Sequence, residues 1–299
     1  MIADLTYARR FELLAARKDA EARMAMIAPL ATDVDAGGRV ADRYDAIGNE
    51  WSRRLFDGPF YVARPDAADI PATSLVFVQS KDGNTGAKNP STLGGGEADK
   101  HLIYEGLSRV AADAVLAGAQ TVRGGNLVFS VWHPELVALR ASLGLPRHPI
   151  QIVATLRGIS FDGLIFNVPD LRVILMTLPT WTALMHDQLE ARPWITPVLM
   201  QTPADLVDAF RQFRRLGIER ISCIGGRTIA RQLTDARLIH DLYLTTSAKP
   251  GGEPNTPLYP RPLKGALIVR KHGTGVDAGV IFEHIRLRTR VQSAVAGHE

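Results

Sequence analysis

One cysteine stands in a chain of 299 residues. That lone thiol, Cys223, excludes an internal disulfide and any cysteine-built metal or redox pair, so a reducing cytoplasm is the expected setting. Within an apolar run it reads as a small core residue, not a nucleophile. Long hydrophobic stretches are missing too: no run approaches the ~18 apolar residues of a membrane span. The amino terminus mixes Asp4, Glu12, Asp19 and Glu21 with its basic residues, unlike a signal or transit peptide. No membrane partner is expected. Charge of one sign is scarce, with 35 Lys+Arg against 31 Asp+Glu and a net +4. No basic block is interleaved with aromatics, which argues against nucleic acid and leaves room for a small anionic ligand. The eight histidines are scattered without an HxxxH or HExxH pair, so no metal site is expected. Also absent are a G-x-S-x-G elbow, a GxxxxGK[ST] loop and a G-x-G-x-x-G fingerprint, which excludes the commonest hydrolase, kinase and dinucleotide signatures.

What is present is a change of pattern near residue 70. Residues 5–31 are Ala-rich and charged and predict a helix. A loop at 33–42 and a second short helix over Tyr44–Phe56 follow, then the Pro/Asp-rich linker "RPDAADIPAT" at 64–73. From residue 74, short β-rich runs recur at 74–80, 113–118, 149–155, 171–177, 196–200, 220–224 and 241–247. Most are continuously apolar, as strands buried on both faces are. Helical patterns separate them at 97–112, 133–143, 180–190, 203–216 and 227–236. The fourth opens on Thr202-Pro203 and stops at Gly217. Such alternation implies an α/β fold on a mostly parallel sheet. Two runs around a Gly/Asp turn at 265–288 add a C-terminal antiparallel hairpin.

In a parallel sheet, ligands gather at the carboxyl ends of the strands. "CIGGRT" runs off a strand into Gly225-Gly226 and then Arg227 and Thr228 at a helix start. Bare glycines there serve either a tight turn or a phosphate cradle. "AGAQTVRGG" does the same with Gly118, Thr121, Val122 and Arg123. Two such strand ends raise the expectation of a dinucleotide above what either supports alone. Thr155 and Arg157, after a third strand, are candidates for a 2′-phosphate. The polar loop 79–101 offers Gln79, Ser80 and Asp82 to a substrate, while Glu97 and Asp99 read as carboxylates complementing a helix dipole. Arg109 lies at the edge of the stripe Leu102, Ile103, Gly106, Leu107 and Val110. It either snorkels or anchors an anionic substrate group.

Taken in order, "SKDG", "GGEADKH", "RVAADAVLAGAQTVRGGN", "CIGG" and "LIHDLYLTTSAKPGG" resemble the C-terminal reductase domain of riboflavin biosynthesis, the RibD type. The resemblance spans roughly 74–288 and implies a dihydrofolate-reductase-like three-layer α/β/α fold with an N-terminal helical extension. On that basis residues 1–70 would be the extension and 71–299 the reductase domain. It also implies NADPH as cofactor, hydride transfer to a small nitrogen-heterocyclic or phosphorylated substrate, and a homodimer. By matching positions, Val78 would lie beside the nicotinamide and Thr121 would touch the cofactor. Gly225, Gly226, Arg227, Thr228 and Ile229 would wrap the pyrophosphate, and Arg109 would meet a substrate phosphate. The family's glutamate before Gly-Gly is Ile224 here, its strand lysine is Val76, and "SLDG" reads "SKDG". The cofactor half is therefore better retained than the substrate half. Asp82 is left as the candidate proton donor. The rival expectation is a nucleotide-binding protein that kept the fold without catalysis.

Overall fold

A computed structural model of the chain describes residues 6–123 and 125–288. Its frame is a ten-stranded sheet with β1 (Leu30–Asp35), β4 (Ala72–Gln79), β5 (Ala114–Gly118), β6 (Ile150–Ala154), β7 (Val173–Thr177), β8 (Ile195–Leu199), β9 (Arg220–Cys223), β10 (Asp241–Thr246), β11 (Gly265–Gly273) and β12 (Ile281–Leu287). The spatial order is β1-β11-β12-β10-β4-β9-β5-β6-β7-β8. From β10 to β8 every neighbour is parallel, and β12, β11 and β1 then follow antiparallel. A separate ribbon pairs β2 (Tyr44–Ile47) with β3 (Phe60–Ala63).

The continuous apolar runs are explained by burial on both faces. In β4, Leu75 packs with Phe210, Phe213, Ile229 and Leu233, below the helices Leu206–Arg215 and Arg227–Asp235. Its neighbour Val76 points the other way, toward Leu102, Ile103 and Leu136. Those belong to the helix that begins at Gly96 and to Pro134–Ser142. Successive side chains of a strand alternate faces, so a strand between two helical layers must be apolar at every position. The result is the three-layer α/β/α fold of the dihydrofolate-reductase type, with its antiparallel hairpin at the C-terminal end.

Three details depart from expectation. The segment before residue 70 has its helix, Tyr7–Met24, but is not helical throughout. Leu30–Asp35 is a strand on β11, and Tyr44–Phe56 splits at Gly48-Asn49 into β2 and a helix, Glu50–Phe56. Asn49 accepts from Ser52 N as the helix N-cap, which fixes where that helix must begin. The helix expected over 203–216 starts at Leu206 because Asp205 turns back to Thr202 N at 2.7 Å, while Gly217 (φ 84°) ends it. The helix expected over 97–112 widens into π turns over Asp99–Leu107, closed by Ser108 N to Ile103 O at 2.9 Å.

At the amino ends of the strands, charges are packed and paired. Asp241, the first residue of β10, is fully buried; its carboxylate accepts from Tyr44 Oη, His284 Nε2 and Arg286 Nη1, each at 2.8 Å. Burial alone would raise its pKa, but the His284 hydrogen bond and the His284 and Arg286 charges hold it below the usual range. Arg286 also reaches Asp66, and Arg220 at the start of β9 pairs with Asp45. Tyr44, Asp45 and Asp66 all come from the amino-terminal segment, which is thereby locked onto this edge of the sheet.

Candidate active site

The opposite edge, where the parallel strands end, is built differently. β9 runs out through Ile224, whose N–H donates to Leu116 O at 3.0 Å, and Gly118 N donates to Gly225 O at 3.0 Å. The two glycine-bearing ends that the sequence suggested separately are thus stitched into one turn. Gly225 (φ 95°) is joined to Gly226 by a cis peptide, and a Cβ on Gly225 would lie 2.8 Å from the Phe77 ring. Glycine is obligatory at that position. At Gly226 and Gly118 the reason is different. A Cβ there would meet protein only at 3.8 Å (Thr121 Oγ1) and 3.6 Å (Ile229 Cγ2), so the bare backbone faces open space. The nine-residue helix Arg227–Asp235 begins at this turn with no side chain capping its first N–H groups. Free N–H donors, a positive dipole end and open backbone together fit a pyrophosphate. Thr121, Arg123, Arg227 and Thr228 are exposed around it, Arg227 held only loosely by Glu253 at 3.7 Å.

Several expected ligands are spent on the fold itself. Val122 is a core residue at 1% exposure, and the Ile229 side chain packs inward while its backbone N–H stays in the uncapped first turn of the helix. Thr155 is buried; its hydroxyl donates to Gly158 O at 2.8 Å and caps a turn, so it does not reach toward a 2′-phosphate. Ser80 is enclosed in the turn closed by Asn84, which returns a hydrogen bond to Ser80 Oγ. Asp82 is exposed and accepts from Gly251 N at 3.2 Å, tying two loops together. Arg109 is buried, its Nη1 donating to Ser130 O at 2.7 Å and its guanidinium 4.2 Å from the Tyr104 ring. It follows a helix that starts at the strand carboxyl ends and runs back toward the start of β5. That path carries it away from the glycine turn. Ile224 is partly buried between two core clusters at the turn, and Gln79 donates to Thr246 Oγ1 at 3.0 Å on the site's rim.

Asp99 is the group that sequence reasoning passed over. It sits in the first turn of the helix from Gly96, keeps part of its surface open, and receives a short hydrogen bond from Thr245 Oγ1. Thr245 is the register partner of Val78, so this carboxyl lies beside the strand ends where β4 and β10 finish. Its surroundings raise its pKa to about 6; burial is the main cause, the Thr245 hydrogen bond opposes it, and the charge of Asp277 adds to the rise. A signal was present in the sequence: Asp99 lies three and four residues before Leu102 and Ile103, in line with the apolar stripe. A carboxylate on the buried face of a helix asks for an explanation that one on the solvent face does not.

Two other polar features have structural roles. Glu105 accepts from Trp132 N, from His133 N at 2.6 Å and from His101 Nδ1 at 2.8 Å, pinning the 125–133 loop to the helix. A cavity of about 20 Å³ among Ala72, Ser108, Arg220 and Tyr243 lies toward the amino-terminal edge. It has room for roughly one water and none for a nucleotide.

The ten-stranded α/β/α sheet, with glycine-lined carboxyl ends and an uncapped helix N-terminus, defines a protein of the dihydrofolate-reductase-like fold. More narrowly, residues 71–266 match the model of the RibD C-terminal domain, and the chain belongs to that family. Solved structures agree on the fold. A pyrimidine reductase-like protein from Corynebacterium diphtheriae superposes with TM-score 0.57 at 21% identity, covering 73% of this chain and 92% of that one. The diaminohydroxyphosphoribosylaminopyrimidine deaminase/5-amino-6-(5-phosphoribosylamino)uracil reductase of Thermotoga maritima gives 0.54 at 17%, with 73% of this chain and 57% of that one covered. This chain thus spans little more than half of that two-activity protein. The riboflavin biosynthesis reductase of Saccharomyces cerevisiae gives 0.51 at 16%, with coverages of 75% and 92%. No curated protein sequence matches the chain closely enough to add a relative. Among the described residues, no helix is long and apolar enough to cross a membrane.

Proposed function

We propose that the chain is an NADPH-dependent reductase of a small nitrogen heterocycle, hydride going to the carbon of a C=N bond while Asp99 protonates the nitrogen. The observation that carries this reading is the Asp99 carboxyl, part-buried and hydrogen-bonded to Thr245 beside Val78, where burial raises its pKa to about 6. A general acid needs a pKa near the working pH and a path to the reacting atom. The cofactor half rests on Gly118, Gly225 and Gly226 at the start of the helix Arg227–Asp235, with Thr121, Arg123, Arg227 and Thr228 around them. A bound nicotinamide would supply the hydride. The chain's own work is to orient the two partners and to deliver one proton. The C=N π bond becomes one C–H and one N–H bond, and Asp99 is left as a carboxylate that water reprotonates.

The aminouracil phosphate named for the Thermotoga protein is one substrate to try. Ile224, which offers no carboxylate to a uracil, favours a different ring. Arg109 holds Ser130 O through Nη1 and leaves Nε and Nη2 without a hydrogen-bond partner among the described residues. The cofactor claim is tested by thermal unfolding. NADPH at 100 times its Kd should add about 2.7 kcal/mol of stability, and an unshifted transition would sink it. Loss of NADPH absorbance is then followed with a panel of C=N heterocycles, the aminouracil phosphate included. Stabilisation without turnover on any of them would turn the reading toward a nucleotide-binding protein that does no chemistry.

A further inference from the structure

The short turn Gly275–Asp277 that joins β11 to β12 delivers one side chain to the helix carrying Asp99. Asp277 is 6% exposed, and its Oδ2 accepts from Ala98 N at 3.4 Å, the residue immediately before Asp99. Two glycines clear its place. A Cβ on Gly96 (φ 77°) would run into Asp277 Oδ1, and one on Gly273 would run into the Asp277 carbonyl. The antiparallel hairpin therefore reaches across to seat the first turn of this helix. Thr245, on β10, holds Asp99 from the other side.

We propose that Asp277 is a positioning residue for Asp99, seating the turn that carries it and placing a second negative charge beside that turn. This rests on the reading of Asp99 as proton donor. The groups facing the pair are few. Thr245 comes from β10 and is uncharged; Asp277 comes from the hairpin. Glu97, on the same helix as Asp99, adds its negative charge to Asp277 but is itself paired with Lys100 and His101, at 3.3 and 3.2 Å. Among the described residues, no cation is paired with either Asp99 or Asp277. Two carboxyls held close in a partly dry space resist ionising together, and the one with less water keeps its proton longer.

The deciding variant is Asp277→Asn, which keeps an oxygen for Ala98 N and removes the charge. Two readouts are followed with pH on the full chain: the carbon-13 signal of the Asp99 carboxyl with NADPH bound, and the single-turnover rate of NADPH oxidation. The expected result is an Asp99 midpoint about one pH unit lower, with the rate at pH 7 down about tenfold and the rate at pH 5 down only about twofold. Asp277→Glu should restore most of the parent profile. If Asp277→Asn proves poorly folded, Asp277→Ser, which also removes the charge and keeps a hydroxyl oxygen on the side of Ala98 N, is titrated instead and should likewise lower the Asp99 midpoint. An Asp99 midpoint that stays put overturns the proposal. If the midpoint moves but Asp99→Asn retains the parent rate, Asp277 does tune Asp99, and it is the proton-donor reading that falls.

Discussion

The same strands meet two opposite treatments at their two ends. β10 begins with Asp241, whose carboxylate is met by Tyr44, His284 and Arg286, and near its other end carries Thr245, which steadies a carboxyl that no cation pairs with among the described residues. β9 begins with Arg220 paired to Asp45 and finishes in two bare glycines. At the amino edge charges neutralise one another and bind the amino-terminal segment down. At the carboxyl edge side chains are withheld, backbone donors are left free and one acid ionises at higher pH than usual. Polar investment without a vacancy makes stability; polar groups left unpaired in a reachable place make chemistry.

The contrast can be broken at either end. The largest effect on folding should come from Asp241→Ala, which takes the carboxylate from buried His284 and Tyr44 and leaves Arg286 paired only with Asp66 among the described residues. About 3–5 kcal/mol should be lost in urea unfolding, with NADPH affinity of the folded fraction unchanged. At the other edge, Asp99→Asn should slow hydride transfer roughly a hundredfold or more while NADPH still binds; an unaltered single-turnover rate would remove Asp99 from the chemistry. Gly226→Ala adds a methyl that the protein itself accommodates, since its nearest neighbour would be Thr121 Oγ1 at 3.8 Å. NADPH affinity should fall about 10–100-fold as backbone hydrogen bonds to phosphate are blocked, with little change in the melting temperature of the free protein.

Acidity separates the two edges by sign. Asp99 has its folded pKa raised to about 6, so its contribution to stability is fully present below the unfolded value, 3.8, and is lost as pH rises through 6. Asp241 is depressed, so its contribution is present above 3.8 and is lost as pH falls through the folded value. Urea unfolding across pH 3–7 should show Asp99→Asn removing a decline on the neutral side and Asp241→Asn removing a loss on the acid side. The smallest effect belongs to Asp82→Asn, whose carboxylate only ties Gly251. Hydride transfer should be unchanged and stability should move by no more than about 0.5 kcal/mol.

The contrast also shows what could be read in the sequence. The parallel strands were legible because burial on both faces leaves unbroken apolar runs, and the hairpin because its turn is Gly- and Asp-rich. β1 was not, since an edge strand such as Thr32-Asp33-Val34-Asp35 carries charges that look like a loop. The glycine turn was visible as two separate strand ends, but only the β5–β9 pairing joins them. Val122, Thr155 and Ser80 were of plausible type, yet whether a hydroxyl faces a ligand or its own turn depends on backbone geometry that residue types do not encode. Arg109 and Asp99 show the limit from both sides. A cation that looked like a surface group is buried with one nitrogen on a carbonyl, and an acid that looked like a dipole ornament turns inward.

β1 has one more consequence, for the order in which the molecule is made. Leu30 pairs with Gly273, and Asp35 with Val269. A ribosome adding about 5–20 residues per second will have exposed this strand for on the order of ten seconds or more before its partner exists. The parallel strands can assemble meanwhile, but the outer edge of the sheet closes last, by joining the two ends of the chain. Non-local closure of this kind is slow, and the aspartates that hid β1 from sequence reading are suited to keeping it soluble while it waits.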